Sequence, residues 1–189
     1  MKDIILDILN QSVAVKQKAV KKSLKALIQA ADLMAACLAS GHKILIFGNG
    51  GSAADAQHIA AEFVNRFQIE RPPLAAIALT TDTSVLTSIG NDYHFSEIFS
   101  KQIQALGSAD DIAWGISTSG NSKNVIRALR TAKKIGLQTV GMTGRGGKLA
   151  SAADIVLTVE SDSTARIQET HIVFGHILCE LVDKILFGR

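Results

Sequence analysis

The sequence predicts an α/β fold: a three-layer αβα sandwich around a five-stranded parallel sheet. Three observations carry that expectation. Five short apolar runs recur along the chain, at residues 43–47 (KILIF), 74–79 (LAAIAL), 112–116 (IAWGI), 139–142 (TVGM) and 155–159 (IVLTV). Each is continuous rather than alternating, the pattern of a strand buried on both faces. Helical periodicity fills the stretches between them, as crossovers between parallel strands require.

The chain has 189 residues, 47% hydrophobic and 20% charged, with a net charge of +3. That is enough chain for one domain with a real core, and the whole of 1–189 is read as that domain. The charge is too small and too dispersed for a nucleic-acid or membrane footprint. No apolar run approaches the ~20 residues a spanning helix needs. Asp3 and Asp7 interrupt any signal-peptide core, so the expected location is the cytoplasm. Cys37 and Cys179 lie in apolar helical patterns and are read as small buried hydrophobes in a reducing compartment.

Taken in order, residues 3–40 are helical, with Leu24, Leu27, Ile28, Ala31, Ala35 and Leu38 at helical spacing. So long a lead-in exceeds what one sheet face needs; it either packs on another subunit or caps the sheet. Strand 43–47 follows, then glycines, then a helix from about Ser52 that Pro72 and Pro73 must break. After strand 74–79, a helical pattern at 83–89 is stopped by Gly90 and Asn91. A second amphipathic helix covers 95–106, with Phe95, Ile98, Phe99, Ile103 and Leu106 on one side. Strand 112–116 leads through STSGNS into a helix at about 121–135, ended by Gly136. After strand 139–142 comes a short helix near 148–152, then strand 155–159. A long helix at 163–187 closes the chain, capped by Ser163 or Thr164.

Ligands in such a fold bind beyond the C-terminal ends of the strands. Two small-residue loops sit there. The first opens GNGGSAADAQHIAAEF (48–63), a strand–glycine turn–helix arrangement suited to an anion at a helix N-terminus. GNGGSA also satisfies a G-x-G-x-x-A dinucleotide pattern, but the second strand ends in Thr80 and Thr81 rather than an acid. No Walker loop is present. The second loop, 117–122 (STSGNS), offers the hydroxyls of Ser117, Thr118, Ser119 and Ser122 before a helix. Those groups suit a phosphate monoester, although an ordinary capped loop would read the same.

His58 and Glu62 are four apart and share a helix face. An isolated pair of this kind is more often a surface ion pair; here the surrounding residues are small and apolar. The terminal helix carries Gln168, Glu169, His171 and His176. Gln168 and His176 can face one cavity; by spacing alone, Glu169 or His171 would serve nearly as well.

At these residues the sequence resembles the SIS (sugar isomerase) superfamily, with its flavodoxin-like fold, and within it the phosphoheptose isomerases. GNGGSAADAQH, ALTTDTS, SIGNDY, GISTSGNS, TARIQE and His176 occur in that family's order over essentially the whole chain. The resemblance implies isomerisation of sedoheptulose 7-phosphate to D-glycero-D-manno-heptose 7-phosphate, supplying heptose for lipopolysaccharide core, capsule or related glycans. It implies Ser52, Ser117, Thr118, Ser119 and Ser122 as phosphate groups, with Asn49, Gly50, Gly51, Asn91, Asp92, Glu62 and Gln168 lining the sugar site. It implies Glu62 and His176 as acid–base residues, and zinc, one ion per subunit, on His58, Glu62, Gln168 and His176. It further implies a homotetramer, with residues 1–40 in its core and sites between subunits. The alternative is a non-catalytic protein of the same fold that binds a phosphosugar or a replication initiator. Glu62 separates the two, because those binding relatives lack the carboxylate.

Overall fold

The computed structural model describes residues 1–188. In chain order the elements are α1 (Lys2–Ala39), β1 (Ile44–Gly48), α2 (Gly51–Val64), β2 (Ala76–Ala78) and α3 (Thr83–Asp92). A 3-10 turn, Phe95–Glu97, leads into α4 (Ile98–Leu106), followed by β3 (Ile112–Ser117), α5 (Lys123–Lys134) and β4 (Gln138–Thr143). A second 3-10 turn, Lys148–Ser151, precedes β5 (Ile155–Thr158) and α6 (Thr164–Phe187).

All five strands are parallel, in the order β2-β1-β3-β4-β5. From β1 the chain crosses to β2 on one side, and from β2 it returns past β1 to β3 on the other. The crevice where the winding reverses lies between the C-terminal ends of β1 and β3, where Gly48 pairs with Ile116. Alternate strand residues feed two cores. Ile44, Ile46, Trp114, Ile116 and Met142 pack beneath α1, α2 and α6. Leu45, Phe47 and Ala113 pack beneath α4 and α5. The fully buried strands explain their unbroken apolar sequence.

Several element ends differ from expectation, each for a tertiary reason. α2 stops at Val64, well before Pro72. Its last carbonyls are taken by a side chain: Arg71 donates from Nη2 to the Glu62 oxygen at 2.8 Å and from Nη1 to the Phe63 oxygen at 2.7 Å. A guanidinium placed there satisfies orphan carbonyls and complements the negative end of the helix dipole. α3 runs on through Gly90 to Asp92, anchored at its start by Asp82, which accepts from the Val85 N–H at 2.9 Å. Ser163 caps α6 as expected.

The predicted helix faces need one correction. Leu24 and Ile28 are exposed, whereas Leu27, Ala31, Ala35 and Leu38 are buried. Phe95 and Leu106 are likewise exposed, while Ile98, Phe99 and Ile103 are buried. The first turns of α1 leave Ile4, Ile5, Leu6, Ile8 and Leu9 in the open. Both cysteines are buried and unpaired. Burial pushes the Cys37 thiol up to about 11, with Asp111 adding to it. Burial also raises the Cys179 thiol strongly, with the Glu62 carboxylate contributing next. No helix among the described residues is long and apolar enough to cross a membrane.

Candidate active site

The two loops predicted from sequence flank the β1/β3 crevice. Ser117 ends β3 and turns its hydroxyl to that of Ser122 at 2.9 Å and that of Ser119 at 3.4 Å, so three of the four loop hydroxyls converge. Ser119 also accepts from the Asn121 N–H at 3.2 Å, tightening the turn into α5. Thr118 contributes a carbonyl that receives the Gly144 N–H at 3.1 Å. Gly120 has φ +65, and a Cβ there would meet the Gly146 carbonyl oxygen at 2.0 Å. No residue with a side chain fits a left-handed position so close to backbone. Leu149 N–H to Gly120 oxygen, 2.9 Å, completes the bracing of this loop by the segment after β4.

The first loop is tied directly to the second. Asn49 and Asn124 exchange amide hydrogen bonds in both directions, at 2.9 and 2.8 Å. Asn124 is buried on the first turn of α5 and also receives the Val125 N–H at 2.9 Å. Sequence reading missed Asn124; its only signal was an amide two residues beyond Ser122, in a helix turn otherwise becoming apolar. Ser52 is buried at the start of α2, and Gly50 and Gly51 form the turn before it. The result is two helix N-termini, of α2 and α5, aimed at one rim and locked to each other by side-chain amides.

Behind that rim runs the seam between α2 and α6. His58 Nε2 lies 2.9 Å from His176 Nε2, and Glu62 Oε1 lies 3.3 Å from His58 Nε2. The three ligand atoms all fall within 4.8 Å of one another. Two imidazole lone pairs cannot face each other unshared, so one Nε2 carries the proton of a hydrogen bond or both nitrogens turn toward a shared cation. Phe67 stacks on His176 with ring centroids 5.3 Å apart, fixing the imidazole from its far side. Two imidazoles and a carboxylate make a donor set that suits zinc.

Gln168 stands further along the same seam. A Cβ on Gly51 would meet its Nε2 at 1.9 Å, so glycine is needed there for the amide to lie against the first loop. Asp55, one turn before His58, was also passed over by the sequence reading. Burial raises its carboxyl to about 6, and one of its oxygens is buried without a hydrogen-bond partner.

The other candidates separate. His171 is fully buried and donates from Nε2 to the Thr143 carbonyl oxygen at 3.2 Å, beneath the sheet. Burial lowers its pKa to about 4, so the ring is neutral. Glu169 faces α1, where Ser12 donates to it at 2.5 Å, and Arg166 pairs with it at 2.7 Å. Asn91 and Asp92 are exposed at the end of α3 and hydrogen-bond each other at 3.0 Å. A hollow beside the first loop, walled by Asn49, Gly50, Thr80, Phe95 and their neighbours, holds about 160 Å³ and reaches none of the loop hydroxyls. A larger concavity of about 780 Å³ lies along the outer side of α5 and includes neither the loop hydroxyls nor the His58–Glu62–His176 cluster.

The SIS domain family profile matches residues 9–144. The phosphoheptose isomerase of Nitratidesulfovibrio vulgaris is 62% identical over 161 residues, covering 85% of this chain and 77% of its own length. That of Thermodesulfovibrio yellowstonii is 55% identical over 188 residues, covering 99% and 94%. The chain belongs to the phosphoheptose isomerase family of SIS-domain proteins. Among solved structures, the family member from Neisseria gonorrhoeae superposes with a TM-score of 0.91 at 48% identity, covering 97% of this chain and 98% of that one. The phosphoheptose isomerase from Francisella tularensis gives 0.92 at 42%, covering 96% and 97%. The doubly wound fold expected from the apolar runs is thus the fold of this family.

Proposed function

We propose that the chain interconverts sedoheptulose 7-phosphate and D-glycero-D-manno-heptose 7-phosphate, an aldose–ketose isomerisation feeding heptose glycan synthesis in the cytoplasm. The observation that carries the reading is the juxtaposition of a hydroxyl-lined phosphate rim with the His58–Glu62–His176 cluster. The family's shared name supports the same substrate.

The chemistry moves one proton between C1 and C2 and another between the two oxygens, through an enediolate. Ser52, Ser117, Thr118, Ser119 and Ser122, with the N–H groups of two helix starts, hold the phosphate. Asn49, Gly50, Gly51 and Gln168 line the sugar, joined by Asn91 and Asp92. Glu62 takes the carbon-bound proton from one face and returns it to the neighbouring carbon. His176 carries the hydroxyl proton between the oxygens. Each such positioned group is worth about 10²–10⁴-fold.

A zinc ion would be held by His58, Glu62 and His176, with Gln168 as the fourth group, and would supply Lewis-acid polarisation of the carbonyl. The donor set fits that metal; because a zinc-bound carboxylate is a weaker base, Glu62 would alternate between metal and substrate.

We also assign a homotetramer of single SIS domains, with residues 1–40 packed in its core. One feature supports it: α1 leaves a run of large apolar side chains exposed in one chain, Ile4, Ile5, Leu6, Ile8 and Leu9 in its first turns and Leu24 and Ile28 further along. A second subunit would bring Asn91 and Asp92, exposed at the end of α3, into a site between subunits.

The test is turnover of sedoheptulose 7-phosphate by purified protein, with chelator and with added zinc. The heptose 7-phosphate should form, and chelation should suppress it. A folded, metal-replete tetramer that makes no product overturns the isomerase reading. Glu62 is also what argues against a purely binding role.

A further inference from the structure

α2 and α6 supply the two halves of the His58–Glu62–His176 cluster, and a second polar link to α6 lies beyond it. It is the buried pair of Arg71 and Asp183, with Nε to Oδ1 at 2.8 Å and side chains only 1% and 5% exposed. Arg71 belongs to the segment after α2, but its guanidinium folds back onto that helix. Nη2 meets the carbonyl oxygen of Glu62 itself at 2.8 Å, and Nη1 that of Phe63 at 2.7 Å. Asp183 lies seven residues beyond His176, two turns further along the same face of α6.

One planar fork therefore grips the backbone of Glu62 with one side and the helix bearing His176 with the other. A desolvated ion pair is costly to keep for stability alone, since apolar residues of similar volume often do as well. The end of α2 has no glycine cap, and the Asn65 N–H to Ala61 oxygen bond is the last of its own. Besides Arg71, the Phe63 oxygen receives the Leu74 N–H at 3.1 Å, but the Glu62 oxygen is held by the guanidinium.

We propose that Arg71, held by Asp183, is a positioning residue for the reaction: it sets the height and rotation of Glu62 relative to His176. The assignment rests on the proposed isomerase reading for its effect on turnover, though not for its effect on metal binding. Lysine keeps the charge but cannot reach two carbonyls and a carboxylate at once. Arg71→Lys should therefore weaken zinc binding and lower kcat, each by about 10–100-fold, as changes behind a metal ligand do. KM should stay within about threefold, because the phosphate rim is braced separately by Asn49, Asn124 and the loop after β4.

The experiment measures zinc affinity by chelator competition, the KM and kcat split, and thermal unfolding, on wild type, Arg71→Lys and Asp183→Asn. A double variant, Arg71→Met with Asp183→Leu, removes the buried charges together and keeps the readout available if a single variant fails to fold. Weaker zinc binding and lower kcat in a folded variant support the proposal. A lowered unfolding temperature with wild-type zinc affinity and kcat makes the pair merely structural and overturns it. Wild-type protein that binds zinc but does not turn over sedoheptulose 7-phosphate sinks the substrate reading alone, and the zinc measurement still decides the role of Arg71.

Discussion

The hydroxyl rim proposed to hold phosphate and the α2–α6 seam meet at Gly51 and are built in opposite ways. The rim is mostly backbone: two helix starts, a glycine whose φ is +65, and three hydroxyls held within one turn of chain. Its cross-link, Asn49 with Asn124, is short and reciprocal. The seam is side chain: two imidazoles and a carboxylate projected from separate helices, with His58 still 48% exposed. A fixed-charge phosphate can be bound by rigid backbone that never moves. A proton in transit needs groups that titrate, and those are supplied only by side chains, whose alignment then depends on how the helices are fastened. The rim should accordingly control affinity and the seam control rate.

The largest effect should come from breaking the seam at its reacting groups. Glu62→Gln and His176→Gln keep size and polarity but remove the proton-carrying function, and each should lower kcat by about 10²–10⁴-fold. Circular dichroism and oligomer mass should be unchanged, because both residues are partly exposed and neither anchors a core. Near-normal turnover in either variant would remove that residue from the mechanism.

Next in size is a break in the rim. Gly120→Ala places a methyl 2.0 Å from the Gly146 oxygen and 2.4 Å from Thr143 Oγ1 at a left-handed backbone position, and the Gly146 carbonyl is backbone that cannot swing away. Unfolding stability should fall by about 3 kcal/mol, in the range of strained backbone and overpacking costs. Asn124→Ala is gentler. It leaves Asn49 without its buried partner, a loss of about 2 kcal/mol. KM for the phosphosugar should rise about tenfold while kcat holds, as expected for lost uniform binding. If kcat falls instead, the division between rim and seam fails.

How much of this the sequence discloses follows the same line. The rim is legible because its groups are contiguous: GNGGS and STSGNS each announce a turn, a donor set and a helix start within six residues. The five strands are legible because burial on both faces writes an unbroken apolar run. The long-range fastenings are not: Arg71 and Asp183, behind the seam, are 112 residues apart, and Asn49 and Asn124, across the rim, are 75 apart. Neither member of either pair has a local pattern that points to the other. For the same reason α2 was expected to continue toward Pro72: nothing near Val64 is a breaker, and the stop is imposed by a side chain folding back. The exposed Leu24 and Ile28 show a related limit. Helical spacing marks an apolar stripe without saying whether its partner lies in the same chain.

The smallest predicted effect concerns a histidine that spacing made a candidate and burial removed. His171 is held neutral at 0% exposure, with its pKa lowered to about 4 by desolvation. In the unfolded chain it titrates near ~6.5. Between those values the unfolded state binds a proton that the folded state refuses, so stability must rise with pH across that window and be lost as pH falls. From about pH 7.5 to about pH 5.5 this one group should withdraw about 1 kcal/mol. Asp55, raised by burial to about 6, has the opposite slope over the range below its folded value, since there the fold holds the extra proton. The His171 contribution is isolated by comparing urea unfolding of wild type and His171→Gln at the two pH values. The glutamine amide can still donate to the Thr143 oxygen, so its variant should keep most of the stability at the higher pH and lose about 1 kcal/mol less on acidification. Equal losses in the two proteins would mean that His171 is not held neutral, and the acid sensitivity of the fold would then have to come from the seam.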